Sequence, residues 1–589
     1  MSANKLSFDD TRKGHSPTMD NLQAIAYNFL NEHLHQSHTQ MSAKTGIKKH
    51  GERAIEALLK ELAQLEDMNT FEPQHAQKLT REQRSEALRI INLIKEKRDD
   101  SLKGRTCVDG RPQRQYISKE EAASPTVSTE ALLCTLVVDA HENRYVATAD
   151  IKGAYLHTEM DDYVLVKLDG EVVDVFCELN PRYKDFVVME GNKKVLYMRL
   201  IKALYGCVKS ALLWYELYTE TLKEMGFELN PYDLCVANKK INGEQCTIVW
   251  HVDDNKISHV EADVVEDVIS MIESKFGKMK ITCGNTHVFL GMTIHFPGDG
   301  TVHVDTIAHI REAIEDFGEP IDRSAATPAL RSLFDVSGPA EELTPVQQQK
   351  FKSIVPKLIW ITKGGRPDIK LAVSFLWTRV SKWNGSDWKK LRRVLRYLYG
   401  TINDVRILSM ENMDTIFTSF TFVDVAYAVH YDMRCLSGGG LSLGCGLIHA
   451  KSSKQKLNTK SSTESEVVGA SDYLPYLIWM QNFMAAQGFE FKRNIFYQDN
   501  QSAMRLERNG RQSCGQKSRH IDIRYFFIKD RIKSGNIDLQ YFPTEVMLAD
   551  FFTKPLQGKQ FKLLRSAVMG WITLDELKSS LIVKSKGAC

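Results

Sequence analysis

At 589 residues the chain exceeds one ordinary domain of roughly 100–200 residues, so several hydrophobic cores are expected. Hydrophobic residues at 43% and charged residues at 26% exclude a collagenous, mucin-like or wholly disordered protein. The net charge is only +3, from 77 Lys+Arg against 74 Asp+Glu, so any case for a polyanionic partner has to come from local charge.

Taken in chain order, residues 1–50 are polar, with His33, His35 and His38 close together but no cysteine beside them, and read as a polar linker. Ile55, Leu58, Leu59, Leu62 and Leu65 then recur at helical spacing and open the folded region. The longest apolar run, residues 131–138, is far short of the ~20 needed to span a bilayer, so no membrane partner is expected. Extended, β-branched stretches at 145–148 and 163–168 flank Asp150, and a helix is expected over 210–226. Residues 246–252, Asp253-Asp254-Asn255 and residues 256–258 read as strand, turn and strand, a hairpin with acids at its tip.

Between residues 381 and 400 six bases (Lys382, Lys389, Lys390, Arg392, Arg393, Arg396) meet one acid, Asp387, and are interleaved with Trp383, Trp388 and Tyr397. Leu391, Val394, Leu395 and Leu398 form the apolar face of that helix. Strands return at 417–423 and 440–450, followed by a helix at 463–487, a strand at 494–498 and helices at 522–533 and 546–552. This is a separate α/β domain beginning near Asn412. The eleven cysteines contain no C-x-x-C pair, which points to free thiols in a reducing compartment and away from a cysteine zinc site.

Asp-Asp occurs at 9–10, 99–100, 161–162 and 253–254, so the pair alone carries nothing; only the last follows a strongly apolar strand. A polar hairpin turn is one reading of it. The other is metal-assisted phosphoryl transfer, in which carboxylates hold two cations some 3.5–4 Å apart, and Asp150 is the natural third acid. The last domain supplies four more acids, each at the end of a strand or on a helix: Asp424, Glu466, Asp499 and Asp550.

The surrounding residues carry a dense family resemblance. Asp150-Ile151-Lys152-Gly153-Ala154-Tyr155-Leu156 resembles D-V-K-T-A-F-L, and Leu204-Tyr205-Gly206-Cys207-Val208-Lys209-Ser210 with Trp214-Tyr215 resembles L-Y-G-L-K-Q-S with W-Y. Val252-Asp253-Asp254 and Phe289-Leu290-Gly291 resemble Y-V-D-D and F-L-G. Residues 360–369 and 393–401 resemble L-x-Y-L-T-x-x-R-P-D-I and R-I-L-R-Y-L-x-G-T. Ser461-Ser462-Thr463-Glu464-Ser465-Glu466, Asp499-Asn500-Gln501-Ser502-Ala503, Arg519-His520-Ile521-Asp522 and Leu548-Ala549-Asp550-Phe551-Phe552-Thr553-Lys554-Pro555-Leu556 resemble S-S-T-E-A-E, D-N-Q-S-A, K-H-I-D and L-A-D-x-x-T-K-P-L. These are the motifs, in order and spacing, of the reverse transcriptase and ribonuclease H region of copia-type LTR retrotransposon Pol polyproteins, and they cover about residues 55 to 556.

The resemblance implies a multidomain α+β protein: a right-hand polymerase fold with fingers, palm and thumb or connection, followed by an α/β ribonuclease H-like domain. The expected boundaries are a linker at 1–50, fingers and palm at 51–330, connection at 331–412, nuclease at 413–560 and a C-terminal tail at 561–589. It further implies RNA-directed DNA polymerase activity at Asp150, Asp253 and Asp254, and cleavage of RNA in RNA–DNA hybrids at Asp424, Glu466, Asp499 and Asp550. Each site would hold two Mg²⁺ ions, with Mn²⁺ as substitute. Glu466 is preferred to Glu464 because Val467 and Gly469 follow it as an apolar and a small residue, leaving Glu464 as a first-turn acid at the positive end of the helix.

By the same resemblance Lys103 and Arg105 hold the nucleotide triphosphate, and Tyr155 lies under the sugar. Gly206 admits template and nucleotide, Phe289, Leu290 and Gly291 grip the primer end, and His520 touches the hybrid. The partners implied are an RNA template, a DNA primer, a tRNA primer, dNTPs and RNA–DNA hybrid, in the cytoplasm within virus-like particles and with access to the nucleus. Departures from the pattern are His251 for Tyr, Val208 and Lys209 for Lys and Gln, Ala211 for Pro, Phe526 for His, and only part of Y-S-D-A-D-W around Asp424. His251, with an ordinary pKa near neutral, is expected to alter fidelity or pH response. No D-[ST]-G protease loop or Cys/His integrase finger is found. The rival readings are a decayed or domesticated copy that binds nucleic acid without turnover, and a nuclease whose polymerase half is only structural.

Overall fold

The structure is a computed structural model that describes residues 40–96, 100–170, 172–336, 341–410, 412–413, 416–509 and 527–586. It divides into two units, residues 1–64 with 91–106 and residues 65–90 with 107–589. In the first, Gln40–Ser42 pairs antiparallel with residues 93–95, and Ala43–His50 is a helix capped by the Ser42 side chain, which accepts from the Thr45 N–H. Residues 40–50 are therefore part of the fold, where the polar composition had suggested linker; residues 1–39 lie outside the described residues. The apolar spacing of residues 55–65 becomes the helix Glu52–Asp67, with Leu58 and Leu62 buried.

The second unit contains an antiparallel sheet in the order Lys280–Cys283, Tyr145–Asp150, Asp254–His259, Glu244–His251, Asp233–Ile241, Glu228–Asn230. Helices Thr129–His141, Ser210–Glu224 and Ala262–Phe276 supply the apolar side of its core. The run at 131–138 is the middle of the first of these, buried on all sides, which is why it shows no helical alternation of polar and apolar residues. Inside this core Lys256 pairs with Asp139, and Tyr218 donates to Asn255 Oδ1 at 2.5 Å, so the buried polar groups of the hairpin strand are satisfied from neighbouring helices.

Strands Thr286–Phe289, Met292–His295, Thr301–Asp305 and Arg406–Ser409 form a small sheet in that order, so the chain returns to it after the helical connection. The connection consists of Pro345–Gly364, Lys370–Trp377 and Gly385–Gly400, packed with Ile307–Phe317. Its two sequence motifs meet in one buried network. Arg366 donates to Asp368 at 2.8 and 2.9 Å and to the Thr401 carbonyl at 2.8 Å, and Tyr397 O–H donates to Asp368 at 2.6 Å. Arg565 joins at 2.9 Å, from the helix Gly558–Val568. Helices Gly558–Val568 and Leu574–Lys586 thus occupy the stretch read as a tail, with Phe561, Leu564 and Val568 in the core.

Burial alone would raise the pKa of Asp368, but the Arg366 and Arg565 guanidiniums hold it well below the usual carboxylate range. Asp368→Asn leaves two buried guanidiniums short of charge, and is expected to cost about 3–5 kcal/mol in denaturant unfolding at neutral pH. The basic stripe is also largely internal. Lys390 donates to the Asp335 carbonyl, Arg392 to that of Pro320, Arg393 to Thr327 Oγ1, and Arg396 lies 3.7 Å from Asp322, while Lys382 and Lys389 are exposed.

The last sheet runs His449–Lys454, Leu436–Ser442, Ile416–Ala426, Arg493–Gln498, Asp538–Tyr541. The two pairings on the Arg493–Gln498 side are parallel and the others antiparallel. The single strand expected at 440–450 is two strands, because the chain turns at 443–448 after the glycine run 438–440. The helix Ser462–Ala486 crosses this sheet, and a Cβ on Gly439 would lie 2.3 Å from the Tyr473 ring of that helix, so only glycine lets it seat. Its far end reaches the first sheet: Trp479 donates to the Tyr232 carbonyl at 3.0 Å, and the Phe483 carbonyl accepts from Asn230 at 3.2 Å. No helix among the described residues is long and apolar enough to cross a membrane.

Candidate functional site

The expected hairpin tip forms as strands Glu244–His251 and Asp254–His259. Asp254 is the cross-strand partner of Asp150, and the Asp253 carbonyl accepts from the Ile151 N–H at 3.0 Å. The three acids are thereby held at one end of the sheet by strand register. Val252 adopts φ 60°, a left-handed conformation that a β-branched residue rarely takes. The buried Trp214 indole fixes it by donating to the Val252 carbonyl at 2.7 Å. Trp214 entered the sequence reading only as part of a motif, and the structure gives it this positioning contact.

Asp254 is exposed, yet loss of hydration beside the strands and then the charges of Asp253 and Asp150 push its pKa up to about 7. The competing pair Asp161-Asp162 is taken up by Lys209, at 3.0 and 2.6 Å. His251 is partly buried, and burial pushes its pKa down, so it stays neutral between pH 6 and 8 and offers no pH response there.

The remaining polymerase residues are placed less uniformly. Tyr155, on the short turn Ala154–His157, packs against Tyr205 with ring centroids 4.4 Å apart. Gly206 has φ 98°, and a Cβ there would lie 2.0 Å from the Val108 carbonyl oxygen, so the close approach it permits is to its own chain. Leu290 and Gly291 form the two-residue turn of a hairpin, both at positive φ, while Phe289 is buried and presents no side chain to solvent. Lys103 and Arg105 lie on Leu102–Val108 in the first unit, where both act on the partly buried Glu61, which accepts from the Thr106 N–H at 3.1 Å. His520 lies outside the described residues.

In the last sheet, ligand oxygens of Asp424, Glu466 and Asp499 all lie within 4.8 Å of one another, the one such trio among the described residues. Asp424 is on the central strand, Glu466 near the start of the long helix, and Asp499 just past its strand. Asp550 comes from a short turn, Leu548–Phe552, rather than the helix expected over 546–552. Lys554 ties it in, 2.7 Å from Asp550 and 3.6 Å from Asp424. Thr553 donates to Asp424, Thr544 to Asp499 at 2.9 Å, and Gln498 to Glu466 at 3.3 Å.

Burial, then Asp424 and Asp499, pushes Glu466 well above the carboxylate range. Burial, then Asp424, pushes Asp550 up to about 7 and raises Asp499 as well. Four crowded carboxyls with one lysine among them are short of positive charge. The all-oxygen donor set fits a hard divalent cation, which this cluster can coordinate.

Sequence reasoning missed Glu507. It is fully buried on Gln501–Asn509, and neither carboxyl oxygen has a hydrogen-bond partner among the described residues. Burial pushes it up to about 8, so it is protonated in the fold up to that pH but ionised in the unfolded chain above 4.5. Its contribution to stability is therefore lost as pH rises through that window. Glu507→Leu is expected to stabilise the protein by on the order of 1–3 kcal/mol, with a gain in thermal midpoint that grows from pH 5 to pH 8.

A family model described as reverse transcriptase (RNA-dependent DNA polymerase) matches residues 78–331. The chain is 25% identical over 474 residues to the retrovirus-related Pol polyprotein from transposon TNT 1-94 of Nicotiana tabacum, covering 79% of this chain and 34% of the relative. It is 24% identical over 470 residues to the corresponding polyprotein from transposon RE1 of Arabidopsis thaliana, covering 79% and 30%. It thus spans about a third of the length of these curated relatives. A solved foamy viral protease-reverse transcriptase in complex with double-stranded DNA aligns with TM-score 0.45 and 13% identity, over 82% of this chain and 68% of that one.

Proposed function

Since residues 78–331 are a reverse transcriptase of the copia-type retrotransposon Pol class, we propose that the protein is an RNA-directed DNA polymerase with a linked nuclease that cuts RNA in RNA–DNA hybrids. The observation that carries this reading is the register that sets Asp150 opposite Asp254, beside Asp253. Convergence of Asp424, Glu466 and Asp499, with Asp550 tied in through Lys554, supports the nuclease half.

In the first site Asp150, Asp253 and Asp254 would hold two Mg²⁺ ions, and in the second Asp424, Glu466, Asp499 and Asp550 would hold two more, with Mn²⁺ as substitute. When bound, such ions activate the attacking oxygen and stabilise the leaving one. The chain's own contribution is positioning: Trp214 and the Ile151 N–H fix the Asp253 backbone, and Thr553, Thr544 and Gln498 orient three of the nuclease carboxyls. Lys103 and Arg105 are assigned to the triphosphate, Tyr155 to the sugar and His520 to the hybrid. The turn at Leu290 and Gly291 is assigned to the primer end through its backbone. The partners are an RNA template, a tRNA-derived then DNA primer and dNTPs, with the cytoplasmic particle as the place of action.

The test is one reaction with purified protein and Mg²⁺ on an RNA template carrying a DNA primer, with both strands labelled. Primer lengthening together with RNA shortening is expected. Binding without either change would overturn the proposal in favour of a non-catalytic copy, and RNA shortening alone would leave a nuclease with a structural polymerase half.

A further inference from the structure

We propose that a groove on the connection binds the sugar–phosphate backbone of one strand of the nuclease substrate, upstream of the Asp424 cluster; this rests on the nuclease reading of that cluster. The groove is a cavity of about 200 Å³, floored by Ala329, Leu333 and Val394 and rimmed by Lys389, Lys390 and Arg393. A second, smaller recess shares Pro328, Ala329 and Ala372 with it and is lined by Lys554. Lys554 lies 2.7 Å from Asp550 and 3.6 Å from Asp424, so one continuous floor leads from the three cations to the carboxylates.

The charge balance favours an anion. Lys389 is exposed, with no hydrogen bond or ion pair to the described residues. Arg393 donates to Thr327 at 3.0 Å, while its Nε is buried without a partner. Lys390 donates to the Asp335 carbonyl at 2.6 Å. Asp335 also lines the cavity, but Asp387, the other nearby acid, is buried and taken up by Arg379 at 2.9 Å. Ser386, in the first turn of Gly385–Gly400, adds a hydroxyl at the positive end of that helix.

Size narrows the ligand. The cavity falls below the roughly 300–1,000 Å³ of small-molecule sites. A phosphate on the rim with its sugar against the apolar floor needs less room. Such contacts position a duplex without reading its sequence.

The experiment is equilibrium binding of the full chain to a labelled RNA–DNA hybrid in EDTA, repeated across salt concentrations. Lys389→Glu is expected to weaken binding about three- to tenfold and to lower the salt slope by about one, with Lys389→Arg restoring both. Lys492→Glu makes the same charge change at an exposed position on the far end of the strand leading to Asp499, and is expected to change neither. Unchanged affinity and slope in Lys389→Glu would overturn the groove. So would displacement of a bound acidic, leucine-containing peptide by hybrid from a second site only. The nuclease reading is judged separately, by adding Mg²⁺ to the unmodified protein: if no hybrid is cut, that reading fails whatever Lys389 does.

Discussion

Asp424→Asn is expected to reduce hybrid cleavage by at least about a thousandfold while making the metal-free protein more stable at pH 8. The two effects have one cause. Asp424 adds negative charge beside Glu466, Asp499 and Asp550, and it is named among the causes that raise all three. Asp550, pushed up to about 7, is protonated in the fold at pH values where the unfolded chain is already ionised, so its contribution to stability is lost as pH rises through 7. Removing the Asp424 charge relieves that loss. In chelator, the thermal midpoint of the unmodified protein should therefore fall between pH 5.5 and 8 more steeply than that of the variant. Added Mg²⁺ should raise the unmodified protein's midpoint at pH 8 and leave the variant's nearly unchanged. A variant that lost cleavage through misfolding would instead melt lower at every pH.

How much of this was legible beforehand depended on whether one side of an element faced water. The hairpin at Asp253 and Asp254 was legible because a polar turn interrupts two apolar strands, and the helix Ser462–Ala486 because Ser461 and Glu464 mark its start. Helix Thr129–His141 left no helical signature, since nearly every side chain is buried. Bases in the stripe at 381–400 looked solvated, yet most of them bind carbonyls or acids contributed by residues 319–335, contacts that no local pattern encodes.

The candidate sites divide the same way. Acids at strand ends could be located, because the strand places them. Their partners could not: Trp214 acts through a carbonyl 38 residues away, and Lys554 was read only as part of a motif although it is the one lysine seen among the nuclease acids. Phe289 illustrates the reverse error, since its motif suggested contact with substrate while its side chain fills the core. The stretch after residue 560 was read as a tail because nothing in a single helix of that length announces Arg565 as a third member of the Arg366 and Asp368 network.

Asp253→Asn is expected to abolish primer extension, by at least about a thousandfold, and to leave hybrid cleavage within about twofold of the unmodified protein. Asn keeps the backbone carbonyl that accepts from Ile151 and nearly the shape of the side chain, so the turn should persist and the melting temperature should hold. What is lost is one of three charges held at the end of the sheet by the pairing of Asp150 with Asp254. The nuclease cluster is built from other strands and keeps all its own acids, so cleavage has no reason to follow. Trp214→Phe sharpens the argument, because it keeps an aromatic ring but no N–H for the Val252 carbonyl. With that restraint gone, left-handed Val252 is free to relax and Asp253 to drift, so kcat for extension should fall by roughly tenfold with little change in KM for dNTP. Equal loss of extension and cleavage in Asp253→Asn would mean that the two clusters do not work as separate centres.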